Sequence, residues 1–233
     1  MNRIPRAIVI MLVIFSLAEF AAIALVARTT ARRVGAAQAA TKQETKQDPL
    51  DARVRKVLDD NRYGWRDMNV PEADGRALYD LVLKNGYKRA LEIGTSTGHS
   101  GIWIAWALSK TGGRLITIDI DEGRYREAKK NFEAAGLAPF IDARLADAHD
   151  LVPKLDGPFD FVFIDADKDW YTTYAKAVLP KLTVGGSMTA HNVSPRGGRR
   201  QMTGDYYEYV AALPFLESTF SAGVLVSRKV RER

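Results

Sequence analysis

The chain contains no cysteine, which excludes a disulfide framework and a thiolate-bound metal. It has no internal repeat, and the Gly-Lys-Ser/Thr triplet of a P-loop is missing. A broad basic surface is missing too. The formal charge is +6, but residues 1–60 hold ten Lys/Arg against six Asp/Glu, which leaves only +2 for the rest of the chain. No nucleic-acid partner is therefore expected. A length of 233 residues suits one α/β domain with an appendage and is short for two enzyme-sized domains.

The appendage is N-terminal. From Ala7 to Ala27 the chain is apolar apart from Glu19, with Arg3 and Arg6 before the run and Arg28, Arg32 and Arg33 after it. As a helix rising about 1.5 Å per residue, the run matches a bilayer core of about 30 Å. A cleaved signal sequence is the other reading, although its apolar part is usually shorter, roughly 7–15 residues. Residues 1–27 are expected to be a membrane anchor (or signal sequence) and residues 28–60 a juxtamembrane linker, solvated as far as about Asp48. Lys42 and Lys46 add to the basic side beyond the helix and favour a single-pass protein with a cytoplasmic body.

Residues 61–233 alternate strands and helices. Strands are predicted at Arg89–Ile93, Arg114–Ile118, Phe140–Leu145, Phe159–Ile164 and Ser187–Ala190. Two more, Phe215–Phe220 and Gly223–Ser227, are separated by Ser221-Ala222. Helices are predicted near Pro71–Lys84, Gly98–Lys110, Glu122–Ala135, Trp170–Leu182 and Asp205–Leu213. This pattern gives an α/β fold, a doubly wound, mostly parallel sheet closing on a C-terminal antiparallel hairpin. Ligands of such sheets bind beyond the carboxyl ends of the strands.

The residues suited to chemistry fall there. Glu92-Ile93-Gly94-Thr95-Ser96-Thr97-Gly98-His99-Ser100 joins a strand to a helix, with Gly94 and Gly98 allowing close backbone approach. The dinucleotide fingerprint needs glycine where Ser96 stands. Asp119 closes the next strand, placed to accept bonds from two ribose hydroxyls or else to cap a helix, a duty for which Asp121 is equally available. Asp147-Ala148 follows the third strand and suits an adenine edge. Three such features at successive strand ends point to an adenosine. Asp165 ends the apolar strand Phe159–Ile164, with Lys168 three residues on; His191-Asn192 ends the neighbouring strand. A carboxylate there can hold a hard cation or a ligand amine, and a lysine can take a substrate proton. Asp165, His191 and Asn192 form a candidate metal site.

Together these motifs resemble the cation-dependent class I O-methyltransferases, the group containing catechol and caffeoyl-CoA O-methyltransferases, from about Trp65 to the C-terminus. The resemblance implies a Rossmann-like methyltransferase domain using S-adenosylmethionine. It places Met68-Asn69-Val70 over the methionine part of the cofactor, and Glu92, Gly94, Ser96 and Ser100 on the cofactor loop. Asp119 falls on the ribose carboxylate and Asp147-Ala148 on the adenine side. Asp165 matches the first metal ligand, Lys168 the general base and Asn192 the last ligand. The middle ligand of the family is Asp, whereas this chain has His191, which favours a transition metal over Mg²⁺ or weakens the site. The stretch 194–209 has no counterpart to the acid that contacts catechol; its Arg196, Arg199 and Arg200 suit an anionic acceptor or lipid surface, or a solvated loop.

The expected reaction carries a methyl group to a hydroxyl of a small, phenolic or catechol-like acceptor, with Asp165 and Lys168 as catalytic residues. A homodimer is left open. So are a membrane-tethered cofactor-binding module without metal chemistry, a methyltransferase acting at nitrogen or carbon, and a nicotinamide oxidoreductase, against which Ser96 and the hairpin count.

Overall fold

The computed structural model describes residues 48–65, 68–194 and 203–232. The predicted helix at Ala7–Ala27, the spacer before Asp48 and Arg196, Arg199 and Arg200 lie outside them. Among the described residues, no helix is long and apolar enough to cross a membrane.

Seven strands form one sheet: β1 (Arg89–Ile93), β2 (Arg114–Asp119), β3 (Ile141–Leu145), β4 (Phe159–Ile164), β5 (Leu182–His191), β6 (Leu216–Ser221) and β7 (Val224–Lys229). Their order is β3-β2-β1-β4-β5-β7-β6. The first five run parallel, while β7 pairs antiparallel with both β5 and β6. The helices are α1 (Pro49–Asp60), α2 (Glu72–Asn85), α3 (His99–Thr111), α4 (Glu122–Ala135), the short α5 (Ala148–Leu151), α6 (Tyr171–Val178) and α7 (Gly204–Ala211).

Beyond the irregularity between Phe159 and Phe161, the period of two along β4 explains the layers. Phe161 and Phe163 join a core with Leu78, Ile102 and Phe132 from α2, α3 and α4. Phe159, Val162 and Ile164 join a second core with Tyr171, Val178 and Val210 from α6 and α7. Both faces are covered, so the central strand is apolar apart from Asp160, which accepts from the Lys88 and Arg89 N–H groups. Helix α3 is buried at every residue from His99 to Leu108, which is why it lacks an amphipathic stripe.

Three details depart from the sequence reading. The compact unit begins at Pro49 rather than 61, because α1 is part of it. Val54 and Val57 are buried there, and Arg53 donates to the carbonyls of Ala134 (2.6 Å) and Glu133 (2.5 Å) at the end of α4. Asp51 accepts from Trp106 Nε1 at 2.6 Å. Two inward valines are too few for an apolar stripe to show in the sequence. Strand β5 starts five residues earlier than predicted, at Leu182, and carries Gly185-Gly186 inside it. A β-carbon at Gly186 would lie 2.9 Å from the Asp160 carbonyl, beside the register shift between β4 and β5. The hairpin turns at Ala222-Gly223, with Ala222 at φ 50°.

Glu92 sits in the middle of this packing with no exposure to solvent. Its Oε2 accepts from Thr117 Oγ1 at 2.6 Å, while Oε1 has no partner. Burial pushes its pKa up to about 8, against the opposing hydrogen bonds from Ser100 and Thr117. The folded chain then keeps a proton that the unfolded chain releases near 4.5, so stability falls as pH rises between those values. Glu92→Gln is expected to remove a slope approaching about 1.4 kcal/mol per pH unit. Urea denaturation of both chains from about pH 5 to about pH 8 checks this; parallel pH profiles would refute it.

Candidate active site

Neighbouring strands β1 and β4 send their following helices to opposite faces, α3 into one core and α6 into the other. A crevice must open between the strand ends. It contains a cavity of about 190 Å³ lined by Gly94, Asp119, Asp147, Ala148, His149 and Tyr174, among others. Gly94 is at φ 101°, and a β-carbon there would lie 2.8 Å from the Asp165 carbonyl oxygen. The two strand ends can touch only because that atom is missing.

Asp119 shapes the wall. It accepts from the Ser96 N–H at 2.7 Å and from the Asp121 N–H at 2.9 Å. The cap of α4 is Asp121, which accepts from Arg124 N–H at 2.8 Å, so Asp119 is not spent on capping. Asp147 caps α5 through the His149 N–H at 2.8 Å while facing the same cavity.

The other predicted cofactor residues stand behind this wall. Val70, Glu92 and Ser100 are buried, and neither they nor Ser96, Gly98 and Asp165 line the cavity. Gly98, at φ 96°, answers to packing: a β-carbon would lie 2.7 Å from Phe132 Cε1. Val70 is reached through its carbonyl, which bonds His99 Nδ1 at 2.9 Å. Because Trp103 Nε1 donates to His99 Nε2 at 3.1 Å, the hydrogen of that imidazole is on Nδ1.

Sequence reasoning missed three residues on the cavity, His149, Asp167 and Tyr174, together with a stack against one of them. The His149 ring stacks on Trp170, with centroids 3.7 Å apart and planes 13° from parallel, and its Nε2 lies 2.9 Å from Asp167 Oδ2. His149 stands two residues after Asp147, a position from which the first turn of α5 aims it at the crevice.

Beside the cavity lies a chain of charges. Lys168 Nζ donates to Asp165 Oδ1 at 2.6 Å and is 2.6 Å from the Tyr171 hydroxyl. Asp165 Oδ2 is 3.2 Å from His191 Nδ1, and Asp74 Oδ2 is 2.8 Å from His191 Nε2. Asp74 Oδ1 accepts the Gly223 N–H at 2.7 Å. Burial lowers the His191 pKa, but hydrogen bonds and charge from Asp165 and Asp74 outweigh it, and the net shift is upward.

Asp74 was not predicted. It lies on the inward face of α2 with Leu78 and Val82 at helical spacing, and an acid on an apolar face was the available signal.

Of the three residues expected at a metal, Asp165 and His191 stand together, with Asp165 Oδ2 3.2 Å from His191 Nδ1. Asp74 holds the other ring nitrogen, Nε2, at 2.8 Å. Asn192 is exposed, at φ 55°. Among the described residues, no group of three or more His, Asp or Glu could hold a metal ion.

A second cavity, of about 330 Å³, lies between α1, α2 and α3 and is lined by Arg55, Arg62, Arg76 and three tryptophans, among others. Its charges are largely spent: Arg62 pairs with Asp59, Arg76 pairs with Glu72, and Arg55 lies 5.2 Å over the Trp106 ring.

Known proteins share this architecture. Catechol O-methyltransferase from Niastella koreensis is 40% identical over 134 residues, covering 56% of this chain and 60% of its own. Caffeoyl-CoA O-methyltransferase 1 from Zea mays is 36% identical over 131 residues, covering 54% and 50%. The chain thus spans about half to 60% of the length of these curated relatives. Among solved structures, the O-methyltransferase from Bacillus cereus in complex with SAH has a TM-score of 0.64 at 29% identity, covering 82% of this chain and 96% of its own. The O-methyltransferase TomG from Streptomyces achromogenes, in complex with SAM, has a TM-score of 0.66 at 26% identity, covering 80% and 92%. A family profile described as O-methyltransferase matches residues 41–215, and with three quarters of its length inside that profile the chain belongs to the O-methyltransferase family.

Proposed function

We propose that the chain is an S-adenosylmethionine-dependent O-methyltransferase acting on a hydroxyl of a small phenolic or catechol-like acceptor. The observation that carries this reading is the adjacency of the strand-end cavity to the Asp165–Lys168 pair. S-adenosylmethionine supplies a methyl group made electrophilic by its sulfonium. Asp119 offers its remaining lone pairs to ribose hydroxyls, and Asp147-Ala148 borders the adenine, with the His149–Trp170 stack as a flat wall close by. The carboxylates of Asp119 and Asp147 on the cavity favour a cationic ligand.

In the transfer, the acceptor oxygen forms a bond to the methyl carbon as the carbon–sulfur bond breaks. Lys168, in its amine form, takes the hydroxyl proton at Nζ. The resulting ammonium is the species that the 2.6 Å contact with Asp165 stabilises. Charge is neutralised as the reaction proceeds, so holding the two reactants in line and excluding water supply much of the acceleration.

The membrane assignment is part of the proposal. The apolar run Ala7–Ala27 and its flanking arginines support a single-pass anchor, and the intracellular supply of the cofactor favours a cytoplasmic catalytic body.

Calorimetric titration with S-adenosylmethionine, and with NAD as the control, tests the cofactor. Asp119→Ala is expected to weaken cofactor binding about ten- to hundredfold, the worth of charged hydrogen bonds. Lys168→Met is expected to lower kcat toward a catechol by about 10²–10⁴-fold while leaving cofactor affinity within a few-fold. Tight NAD binding with none of S-adenosylmethionine, or an unimpaired Lys168→Met chain, would sink the assignment.

A further inference from the structure

Asp165, Lys168 and Tyr171 follow one another at intervals of three, and the backbone after Asp165 is wound to match. Lys168–Trp170 is a single 3₁₀ turn: the Trp170 N–H donates to the Asp167 carbonyl at 2.9 Å, and the Tyr171 N–H donates to that of Lys168. Three residues per turn bring side chains i and i+3 into line. Lys168 and Tyr171 therefore rise on one side of the turn, where a regular α-helix would stagger them.

The lysine nitrogen is gripped from two directions. Nζ donates to Asp165 Oδ1 at 2.6 Å and to the Tyr171 hydroxyl oxygen at 2.6 Å. That oxygen is able to accept because its own hydrogen has acceptors elsewhere, the His191 carbonyl at 3.2 Å and Asp165 Oδ1 at 3.3 Å. The phenol is a rigid support. Tyr171 is fully buried, and Tyr206 of α7 stands edge-on to it with ring centroids 5.6 Å apart. Lys168, by contrast, is a flexible four-carbon stem with 26% of its side chain exposed, so a reactant can reach it.

Within the O-methyltransferase reading, we infer that Tyr171 is a positioning residue: its hydroxyl, together with Asp165, fixes the direction in which Lys168 Nζ meets the acceptor hydroxyl.

The tetrahedral nitrogen carries the argument. Besides its bond to Cε, Nζ has three vertices. Asp165 takes one and Tyr171 a second, which leaves one for the proton of the acceptor. With Asp165 alone, the lone pair and the remaining hydrogen of the amine could exchange places, and Nζ would face the acceptor correctly only part of the time. Tyr171 removes that choice. Asp165 Oδ2 is no substitute for it, because that oxygen lies toward His191 Nδ1 at 3.2 Å. In the transfer itself the oxygen–carbon bond forms, the carbon–sulfur bond breaks and the hydroxyl proton passes to Nζ. Tyr171 neither gains nor loses a proton, and its contribution is orientation.

The test uses the full chain in detergent, with S-adenosylmethionine carrying a labelled methyl group and catechol as the acceptor. Wild type, Tyr171→Phe, Lys168→Met and the double variant are compared. Tyr171→Phe removes the oxygen and keeps the ring. It is expected to lower kcat about tenfold, with the KM for catechol and the cofactor affinity each within about twofold of wild type. In the Lys168→Met background the same substitution is expected to change the rate by less than about twofold, because no amine is left to aim. An unchanged kcat in Tyr171→Phe, a loss carried by KM or by cofactor affinity, or an equal loss in both backgrounds would overturn the inference. Failure of the underlying reading looks different. No calorimetric binding of S-adenosylmethionine, or a Lys168→Met chain as active as wild type, would end the methyltransferase assignment and this inference with it.

Discussion

The crevice depends on how closely two strand ends approach. The Asp165 N–H donates to the Ile93 carbonyl at 2.8 Å, extending the β1–β4 ladder by one bond, and the bare α-carbon of Gly94 lets the Asp165 carbonyl pass beside it. From that contact β1 continues into the Ser96 loop and α3, and β4 continues into Lys168 and α6. The parting of these two segments creates the cavity, and the sheet order makes the parting unavoidable. Asp119 then ties the loop to the tip of β2, its carboxylate accepting from the backbone N–H groups of Ser96 and Asp121.

A second set of contacts fastens the outer layers to that centre. Asp74 belongs to α2, Asp165 to the end of β4, His191 to the end of β5 and Gly223 to the turn of the hairpin. Helix α2 and the hairpin are therefore coupled directly through the Asp74 carboxylate, which also holds the His191 ring at the end of β5. Such buried ionic groups contribute little net stability compared with apolar packing, but removing one partner leaves an uncompensated charge. Their consequence is local order: Asp165 reaches Lys168 in one orientation.

Much of this was legible in the sequence. The strands announced themselves because a sheet covered on both faces needs apolar runs, and Phe159–Ile164 is one. The acidic residues at strand ends were found by their position, and Asp119 and Asp147 do line the cavity. What escaped notice has physical causes. Helix α1 turns only two valines inward and is held by Arg53 and Asp51, polar residues that read as linker. Gly98 looked like a ligand contact, but Phe132 demands it, and a packing partner 34 residues away leaves no local mark. Asp74 is bonded to residues 117 and 149 positions distant, so no motif contains the set. His191 was noticed as a departure from the family pattern, yet its meaning required Asp74.

The central claim is that the ends of β1 to β4 form one adenosyl site bordered by the Asp165–Lys168 pair. A crystal structure of the protein with S-adenosylhomocysteine tests it most directly. The account predicts ribose oxygens on Asp119, the adenine against Asp147-Ala148, and the cofactor sulfur on the side of the crevice nearest Lys168. A ligand seated among Arg55, Arg62 and Trp106 would contradict it.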